Sequence, residues 1–381
     1  MKIYQRMLKQ RMFPLVLSFF LLLIGGVLAG CANSSNLEQL TGQSEELSGE
    51  LSEGLLQEQK QSSDGSQAEE MGIDLSKVKP NETGKIMILM YHGITEPEAE
   101  WVRTPDNFRK DLQTLYDKGY RPISLQDYVS GNITTDAGYT PVVLTFDDGL
   151  KNNFELIKNA QGEWVINPDC AVAILVEFHC ERPDFPLEAT FFVNNNTPFG
   201  QAEQLAYKLQ YIVEKGMDIG NHTNTHVDFA KTDAPRIQKE IAGVVGMVGE
   251  YLPDYDINTL ALPFGSRPAD KELYSYLEQG SYEGTSYKNN AILNVGWDPD
   301  NSPYHKDFNP LVIHRIRASE IQEYVQHVGM YDWLKKFDKG SLSRFVSDGD
   351  ADIVTVPEAY KDQLDENKVG KRVVKTYTLE E

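Results

Sequence analysis

The stretch Pro141-Val142-Val143-Leu144-Thr145-Phe146-Asp147-Asp148-Gly149 joins a short apolar run to two adjacent carboxylates. A continuous apolar run of this length, opened by a proline, is typical of a buried β-strand. In a parallel barrel, the carboxyl ends of the strands form the rim that carries function. The stretch therefore predicts a buried strand that delivers two acids to such a rim.

Similar apolar runs recur along the chain and alternate with stretches of helical spacing. The strand-like runs are 86–91, 189–193, 260–262, 292–295 and 311–313, and the helical stretches are 105–119, one that begins near 167–169, 203–215 and 235–251. This alternation indicates βα units and a parallel sheet. We therefore expect an α/β fold, a distorted (β/α) barrel of about seven strands. The segments 352–356 and 373–377 predict a short β-rich C-terminal extension.

The N-terminus has the composition of an export signal. Residues 1–30 carry four basic side chains, Lys2, Arg6, Lys9 and Arg11, followed by an apolar run over 13–28. A charged start, an apolar run and small residues at its end describe a secretory signal, with a spanning anchor as the alternative. Leu28-Ala29-Gly30-Cys31 looks like a bacterial lipobox, in which Cys31 receives a lipid and becomes the mature N-terminus.

The composition divides the rest of the chain. Residues 31–80 are rich in Ser, Glu, Gln and Gly, which predicts a disordered tether behind the lipidated Cys31. We expect one catalytic domain over 81–335 and the C-terminal extension, packed on it, over 336–381. The lipid would hold the protein at the membrane, and the tether would give the domain reach towards a polymer further out.

The net charge excludes one class of partner. It is −21 for the whole chain and −25 once the four positive charges of residues 1–30 are removed. Proteins that bind nucleic acid neutralise phosphates with Lys and Arg, so this sequence predicts no nucleic-acid partner. The charge also argues against broad contact with anionic lipid, and its simplest role is solubility. Nothing in the sequence predicts a protein partner.

Cysteine contributes little. Beyond Cys31 there are Cys170 and Cys180, ten residues apart. Along one helix, ten residues span about 15 Å, which is too far for a disulfide bond. Two free thiols are expected, and the sequence leaves open whether these cysteines pair.

The two acids and a pair of histidines predict a metal site. Asp-Asp-Gly alone is ordinary turn chemistry. However, His222-Thr223-Asn224-Thr225-His226 follows another apolar segment, and histidines four apart converge on one ion when the turn between them is helical. Two imidazoles and a carboxylate suit Zn²⁺, with Co²⁺, Ni²⁺ or Mn²⁺ as alternatives. Three protein ligands also leave positions open for water and substrate.

These motifs carry a resemblance to a known family. Thr145-Phe146-Asp147-Asp148-Gly149 and His222-Thr223-Asn224-Thr225-His226 resemble the first two motifs of the polysaccharide deacetylases, the NodB-homology domains of carbohydrate esterase family 4. Met90-Tyr91-His92-Gly93 and 216–222 are also similar to segments of that family. The resemblance spans residues 85–320 and implies the NodB-type barrel.

By position, the resemblance implies Asp148, His222 and His226 as ligands of one divalent metal and Asp147 as the general base. The third motif departs from the family. Pro263 and Phe264 are kept, but Ala261 stands where the family has the arginine that positions the base aspartate. Arg267, Arg315 and Arg317 are the candidates to replace that arginine, and the sequence does not choose among them.

Three further positions complete the expected site. His314 lies where the family's last motif places its catalytic histidine, which implies a general acid. His92 is expected to border the site. Pro263, Phe264 and Trp297 are expected at the substrate, with a backbone N–H near Phe264 at the oxyanion and Trp297 as an aromatic wall.

The resemblance implies a hydrolase. It would remove N-acetyl groups from an extracellular amino-sugar polysaccharide such as peptidoglycan, poly-N-acetylglucosamine or a chitin-like polymer, acting on non-peptide carbon–nitrogen bonds. The expected location is extracytoplasmic, with the protein lipid-anchored to the bacterial cell membrane. Two alternatives stay open: a carbohydrate-binding pseudoenzyme that keeps the metal site, and an acetyl-xylan esterase or small-molecule amidase.

Overall fold

The strands and helices lie within residues 73–379, the part of the chain that the computed structural model describes. The strands are β1 Met87–Tyr91, β2 Gly93–Ile94, β3 Val102–Arg103, β4 Tyr120–Pro122, β5 Thr140–Phe146, β6 Leu156–Lys158, β7 Trp164–Ile166, β8 Thr190–Val193, β9 Asp218–Asn221, β10 Thr259–Ala261, β11 Gln279–Tyr282, β12 Thr285–Lys288, β13 Ala291–Leu293, β14 Ile316–Arg317, β15 Ile353–Pro357 and β16 Val373–Tyr377. The α-helices are α1 Leu75–Val78, α2 Pro105–Asp117, α3 Leu125–Ser130, α4 Ala171–Glu181, α5 Leu205–Glu214, α6 Ala234–Gly249, α7 Ser275–Glu278, α8 Met330–Asp338 and α9 Glu366–Val369.

One curled parallel sheet positions the site. Its strand order is β13-β10-β9-β8-β5-β1-β14, and β4 pairs with the first half of β5. Every pairing in this sheet is parallel. The expected α/β fold, a distorted barrel with seven strands along its path, is therefore confirmed.

A short segment brings the two edges of the sheet together. Ile313 forms a bridge with Leu293 at the end of β13, and three residues later Ile316 pairs with Leu89 in β1. The strand expected over 311–313 is thus wrong in its position, because the regular pairing lies at β14. The segment 313–317 crosses from one edge of the barrel to the other.

Alternating side chains of β1 pack into two different hydrophobic clusters. Met87, Leu89 and Tyr91 of β1 join the cluster formed with the outer helices, whereas Ile86 and Ile88 join a second cluster. That second cluster also holds Val143, Phe192, Ala261 and Leu293 from four other strands, so it fills the barrel interior. Both faces of the strands are covered, which explains why β1 and β5 are fully buried, continuous apolar runs.

Side-chain hydrogen bonds set the start of two helices. Thr104 accepts a hydrogen bond from the Asn107 backbone N–H and Pro105 opens α2, so this helix has a capped start. The helix expected to begin at 167–169 instead begins at Ala171. The Asn167 side chain accepts from the Asp169 N–H at 3.0 Å and forms a turn before the helix.

The C-terminal segment is attached to the barrel through apolar contacts. β15 and β16 pair in parallel, and Val354, Val356 and Val369 are buried in the interior-side cluster. β16 itself is largely exposed. The two predicted C-terminal strands are therefore present, and β15 supplies the packing.

Several expectations concern the N-terminal part of the chain or the cysteines. The signal segment 1–30 and Cys31 lie outside the described residues, as does most of the tether over 31–80, of which residues 75–78 form α1. Within the described range, no helix has the length and apolar character needed to cross a membrane. The Cys170 thiol is buried and free, so Cys170 and Cys180 do not pair with each other.

Candidate metal centre and active site

The two acids leave the end of β5 in different directions. Asp147 continues the strand, since its N–H donates to the Tyr91 carbonyl at 2.9 Å, and its side chain is buried. Asp148 has a left-handed backbone with φ +71°, which turns the chain sharply. Gly149 follows at φ +57° with Val193 close by, so a side chain there would be strained. The turn exposes Asp148 in part and keeps Asp147 inside the barrel.

The loop 222–226 brings its two histidines together without a helical turn. Thr223 and His226 both have left-handed backbones, at φ +64° and +54°. The Asn221 side chain accepts from the Thr223 N–H at 2.8 Å and donates to the Ile241 carbonyl, which anchors the loop to α6. The expectation of a helical turn is therefore wrong, because two left-handed residues shape the loop instead.

Glu240 holds the middle of this loop. Its carboxylate is fully buried and accepts hydrogen bonds from the Thr225 N–H at 2.7 Å and the Thr225 hydroxyl at 2.9 Å. Its remaining charge pairs with Arg236 at 2.6 Å. Such charge-assisted bonds are stronger than neutral ones, so Glu240 fixes the spacing of the two histidines. No motif in the sequence points to Glu240.

Asp148, His222 and His226 converge as expected. Each histidine Nε2 lies 3.4 Å from Asp148 Oδ1, and the three candidate ligand atoms lie within 4.8 Å of one another. The Nδ1 of His222 faces the Ala261 carbonyl at 2.9 Å. An N–H at Nδ1 satisfies that carbonyl and leaves the lone pair of Nε2 directed at the group, which is the arrangement of metal-binding histidines.

The donor set fits a divalent cation such as Zn²⁺. It contains two imidazole nitrogens and one carboxylate oxygen, and His222 is buried whereas Asp148 and His226 are partly exposed. Burial lowers the pKa of His222, but the charges of Asp147 and Asp148 outweigh it and raise that pKa. Because the carboxylates attract a positive charge, the same position favours a bound cation.

Arg315 supplies the guanidinium that Ala261 lacks. Its Nη1 and Nη2 donate to the two carboxylate oxygens of Asp147, each at 2.7 Å. It also donates to the Thr145 hydroxyl at 3.2 Å and the Asn294 carbonyl at 2.9 Å, and its side chain is fully buried. This bidentate geometry is the strongest form of an arginine–carboxylate pair.

The other two candidate arginines have different partners. Arg267 donates to the Asn294 side chain and the Leu311 carbonyl, and Arg317 forms a buried ion pair with Glu100. Burial raises the pKa of Asp147, but Arg315 more than offsets it and holds that pKa well below its usual range. Asp147 is therefore an ionised, firmly oriented carboxylate.

His92, at the end of β1, borders Asp147. Its Nε2 lies 4.0 Å from Asp147 Oδ2, and its ring meets Trp101 edge to face with 4.9 Å between centroids. Its carbonyl accepts from the Asn153 side chain at 2.6 Å, which ties it to the loop after Asp148. Burial is the main cause that lowers the pKa of His92. His92 is thus an imidazole beside the buried carboxylate, with a pKa that burial holds below its ordinary value.

His314 does not join this group. Residues 313 and 315 point into the barrel, so the side chain between them points outward. His314 lines a separate cavity of about 440 Å³ with Lys85, Asp298 and Trp333, and its backbone N–H donates to the Asp300 carboxylate. The expected placement of His314 beside Asp147 is therefore not what the structure shows.

The expected substrate-side residues divide in the same way. Pro263 is buried, and Phe264 is 67% exposed with its ring 4.7 Å from that of His226. Trp297 is also exposed, and its carbonyl accepts from the Trp333 indole. Within residues 73–379, no ring contact joins Trp297 to the metal-site histidines. Phe264 therefore stands at the site, and Trp297 stands beside the separate cavity.

A family model and several solved structures are similar to this chain. The family model for polysaccharide deacetylase matches residues 184–282, a stretch that contains His222, His226 and Phe264. A search of the curated proteins gave no match.

Among solved structures, a polysaccharide deacetylase from Bacillus cereus is 18% identical, with a TM-score of 0.48 and coverage of 66% of this chain and 69% of that one. A Streptococcus pyogenes deacetylase in complex with acetate is 19% identical, with a TM-score of 0.46 and coverage of 66% and 98%. A mutant of a family 4 carbohydrate esterase pseudoenzyme is 17% identical, with a TM-score of 0.25 and coverage of 38% and 45%.

The family match includes both histidines of the metal centre and the loop that carries Phe264, whereas Asp147, Asp148 and Arg315 lie outside it. The strand order places all of these residues at one barrel. Residues 184–282 of the chain are therefore similar to the polysaccharide deacetylase family.

Proposed function

We propose that the protein is a metal-dependent hydrolase that removes N-acetyl groups from an amino-sugar polysaccharide. The observation that carries the proposal is the pair formed by Asp147 and Arg315, bidentate at 2.7 Å, directly beside the Asp148, His222 and His226 cluster. An oriented carboxylate next to three convergent ligands is the arrangement that metal-assisted hydrolysis requires.

When bound, a divalent cation supplies Lewis-acid polarisation of the acetamide carbonyl and of water. Asp147 accepts a proton from the water that attacks the carbonyl carbon. Arg315 keeps Asp147 ionised and fixes the direction of its oxygens. Cleavage of the carbon–nitrogen bond gives acetate and an amine, and the amine needs a proton as it departs.

His92 is our candidate for the residue that delivers this proton. It takes the place expected of His314, whose side chain points to a different cavity. The His92 imidazole faces Asp147 at 4.0 Å, so a proton taken up by the carboxylate has a short route to the imidazole. Apart from Arg315 and the metal ligands, it is the ionisable side chain that the described contacts place against Asp147.

Acetate release tests the proposed reaction. We expect the zinc-loaded full-length chain, purified in detergent, to release acetate from pentaacetyl-chitopentaose and to form one free amine per acetate. Chelator-stripped protein should lose this activity and regain it when Zn²⁺ or Co²⁺ is added. Acetylated xylan serves as the comparison, because faster release from xylan would support the esterase alternative. Protein that binds metal but releases no acetate from any acetylated glycan would support the pseudoenzyme.

We also propose that a lipid on Cys31 anchors the protein outside the cytoplasm. The support is the sequence of residues 1–31, with its basic start, apolar run and Leu-Ala-Gly-Cys ending. Cells fed a labelled fatty acid should incorporate the label into the wild-type chain, and Cys31→Ser should abolish this. Equal labelling of both chains would contradict the anchor.

A further inference from the structure

Two exposed aromatic rings stand on either side of the candidate site. Phe264 meets His226, a ligand of the metal cluster, and Trp101 meets His92, the neighbour of Asp147. Trp101 is 40% exposed, although a large apolar side chain gains from burial. Phe264 is expected at the substrate from its place in the third motif, whereas Trp101 lies outside every motif described above.

Trp101 is held rigidly in this exposed position. The guanidinium of Arg317 lies over the indole, 5.0 Å from its centroid, and the His92 ring contacts it from another side. Its carbonyl accepts from the Gly93 N–H at 3.1 Å. The neighbouring Glu100 is buried and paired with Arg317. An exposed indole fixed by a buried ion pair is preorganised for contact, because binding does not have to immobilise it.

The segment 93–103, in which Trp101 directly precedes β3, is anchored along its length. Arg103 pairs with the buried Asp111 of α2 at 2.6 Å and with Glu98, and Ser319 donates to the Ala99 carbonyl at 2.7 Å. These contacts tie the segment 93–103 to α2 and to the chain after β14. The segment therefore forms a firm wall of the site on the His92 side.

We infer that Trp101 is a platform for a sugar ring next to the reacting one, on the His92 side of the site. The inference rests on the proposed function and assigns a residue that binds the polysaccharide beyond the reacting sugar. With the reacting acetamide at the metal cluster, a ring on the Trp101 side belongs to a neighbouring sugar. A flat apolar indole suits the C–H face of a pyranose ring, and the exposed edge of the indole stays in contact with water. A monosaccharide or small amide would leave this surface unused.

Chain-length dependence tests the platform. We expect Trp101→Ala to lower kcat/KM for pentaacetyl-chitopentaose about tenfold more than for diacetyl-chitobiose. Both substrates release the same amine through His92, so an effect transmitted through His92 would lower both equally. Trp101→Phe, which keeps an aromatic face, should recover most of the difference. Equal losses on the two substrates, or no loss on either, would overturn the platform.

Binding provides a readout that does not depend on turnover. We expect chitopentaose binding, measured by calorimetry in the metal-free protein, to weaken about tenfold in Trp101→Ala. Trp164→Ala is the matched control, because Trp164 is 46% exposed on the hairpin of β6 and β7. Equal weakening in both variants would contradict a specific platform. Binding that depends on Trp101 in a protein that releases no acetate would keep the platform and reject the proposed reaction.

Discussion

Replacing Arg315 by methionine is expected to lower kcat for the proposed deacetylation by at least about 100-fold and to destabilise the fold by about 3–5 kcal/mol. The reason is the environment of Asp147, which is buried and shares both oxygens with Arg315. Without the guanidinium, Asp147 is an uncompensated charge and will take up a proton instead. A protonated Asp147 cannot accept another proton from water. Acetate release and chemical denaturation measure the two effects.

The pH dependence of stability gives a second measure of the same change. In the wild type the pKa of Asp147 is held below its unfolded value, so the pair stabilises the fold above that value and loses this effect in acid. In Arg315→Met, the largest influence that lowers the pKa of Asp147 is gone and burial raises that pKa, so stability should fall as pH rises. The stability difference between the two proteins should therefore widen above about pH 4.

Three variants serve as controls for this prediction. Arg267→Met removes an arginine that bonds Asn294 and Leu311 and should keep the activity. Arg315→Lys keeps the positive charge but loses the two parallel N–H donors of the guanidinium. It should therefore retain more of the wild-type stability than of the wild-type kcat. The double change Arg315→Met with Asp147→Asn removes both charges and should recover stability without activity. If Arg315→Met keeps wild-type kcat, the role assigned to the Asp147–Arg315 pair is wrong.

The sequence predicts the barrel well because its strands are buried on both faces. Runs such as 86–91 and 141–146 need no partner to be recognised, since each is continuous and apolar. The last strand was misplaced for the opposite reason. Ile313 pairs with one edge of the sheet and Ile316 with the other, so the segment is a crossing between two strands. Local pattern does not show such a crossing.

The metal cluster was predictable, whereas its support was not. Asp148, His222 and His226 follow predicted strands, and their chemistry limits them to few roles. Arg315 lies 168 residues along the sequence from its partner Asp147, and Glu240 lies 15 residues from its partner Thr225. The spacing within a short motif does not show pairs that are this far apart in the sequence. The alternation of side chains along an extended segment could have indicated Arg315. Because Ile313 faces the interior, Arg315 faces it too, and His314 does not.

The second large effect concerns the metal. We expect the wild-type chain to bind close to one divalent ion. His222→Ala should weaken that binding more than about 100-fold, which exceeds the loss caused by removing a residue that only hydrogen-bonds to a metal ligand. His222 is the buried member of the cluster, and its Nδ1 is fixed by the Ala261 carbonyl, so its Nε2 is preorganised. His226 is more exposed and should contribute less to the affinity.

Metal content after dialysis, measured by elemental analysis, and calorimetric titration of metal-free protein with Zn²⁺ would check this. His327→Ala is the matched control, because that imidazole is 85% exposed and paired only loosely with Asp332 at 3.9 Å. Zinc binding should also strengthen as pH rises, since the cation competes with a proton for His222, whose pKa is raised by the two aspartates. Unchanged zinc affinity in His222→Ala would remove the metal centre and, with it, the basis of the proposed hydrolysis.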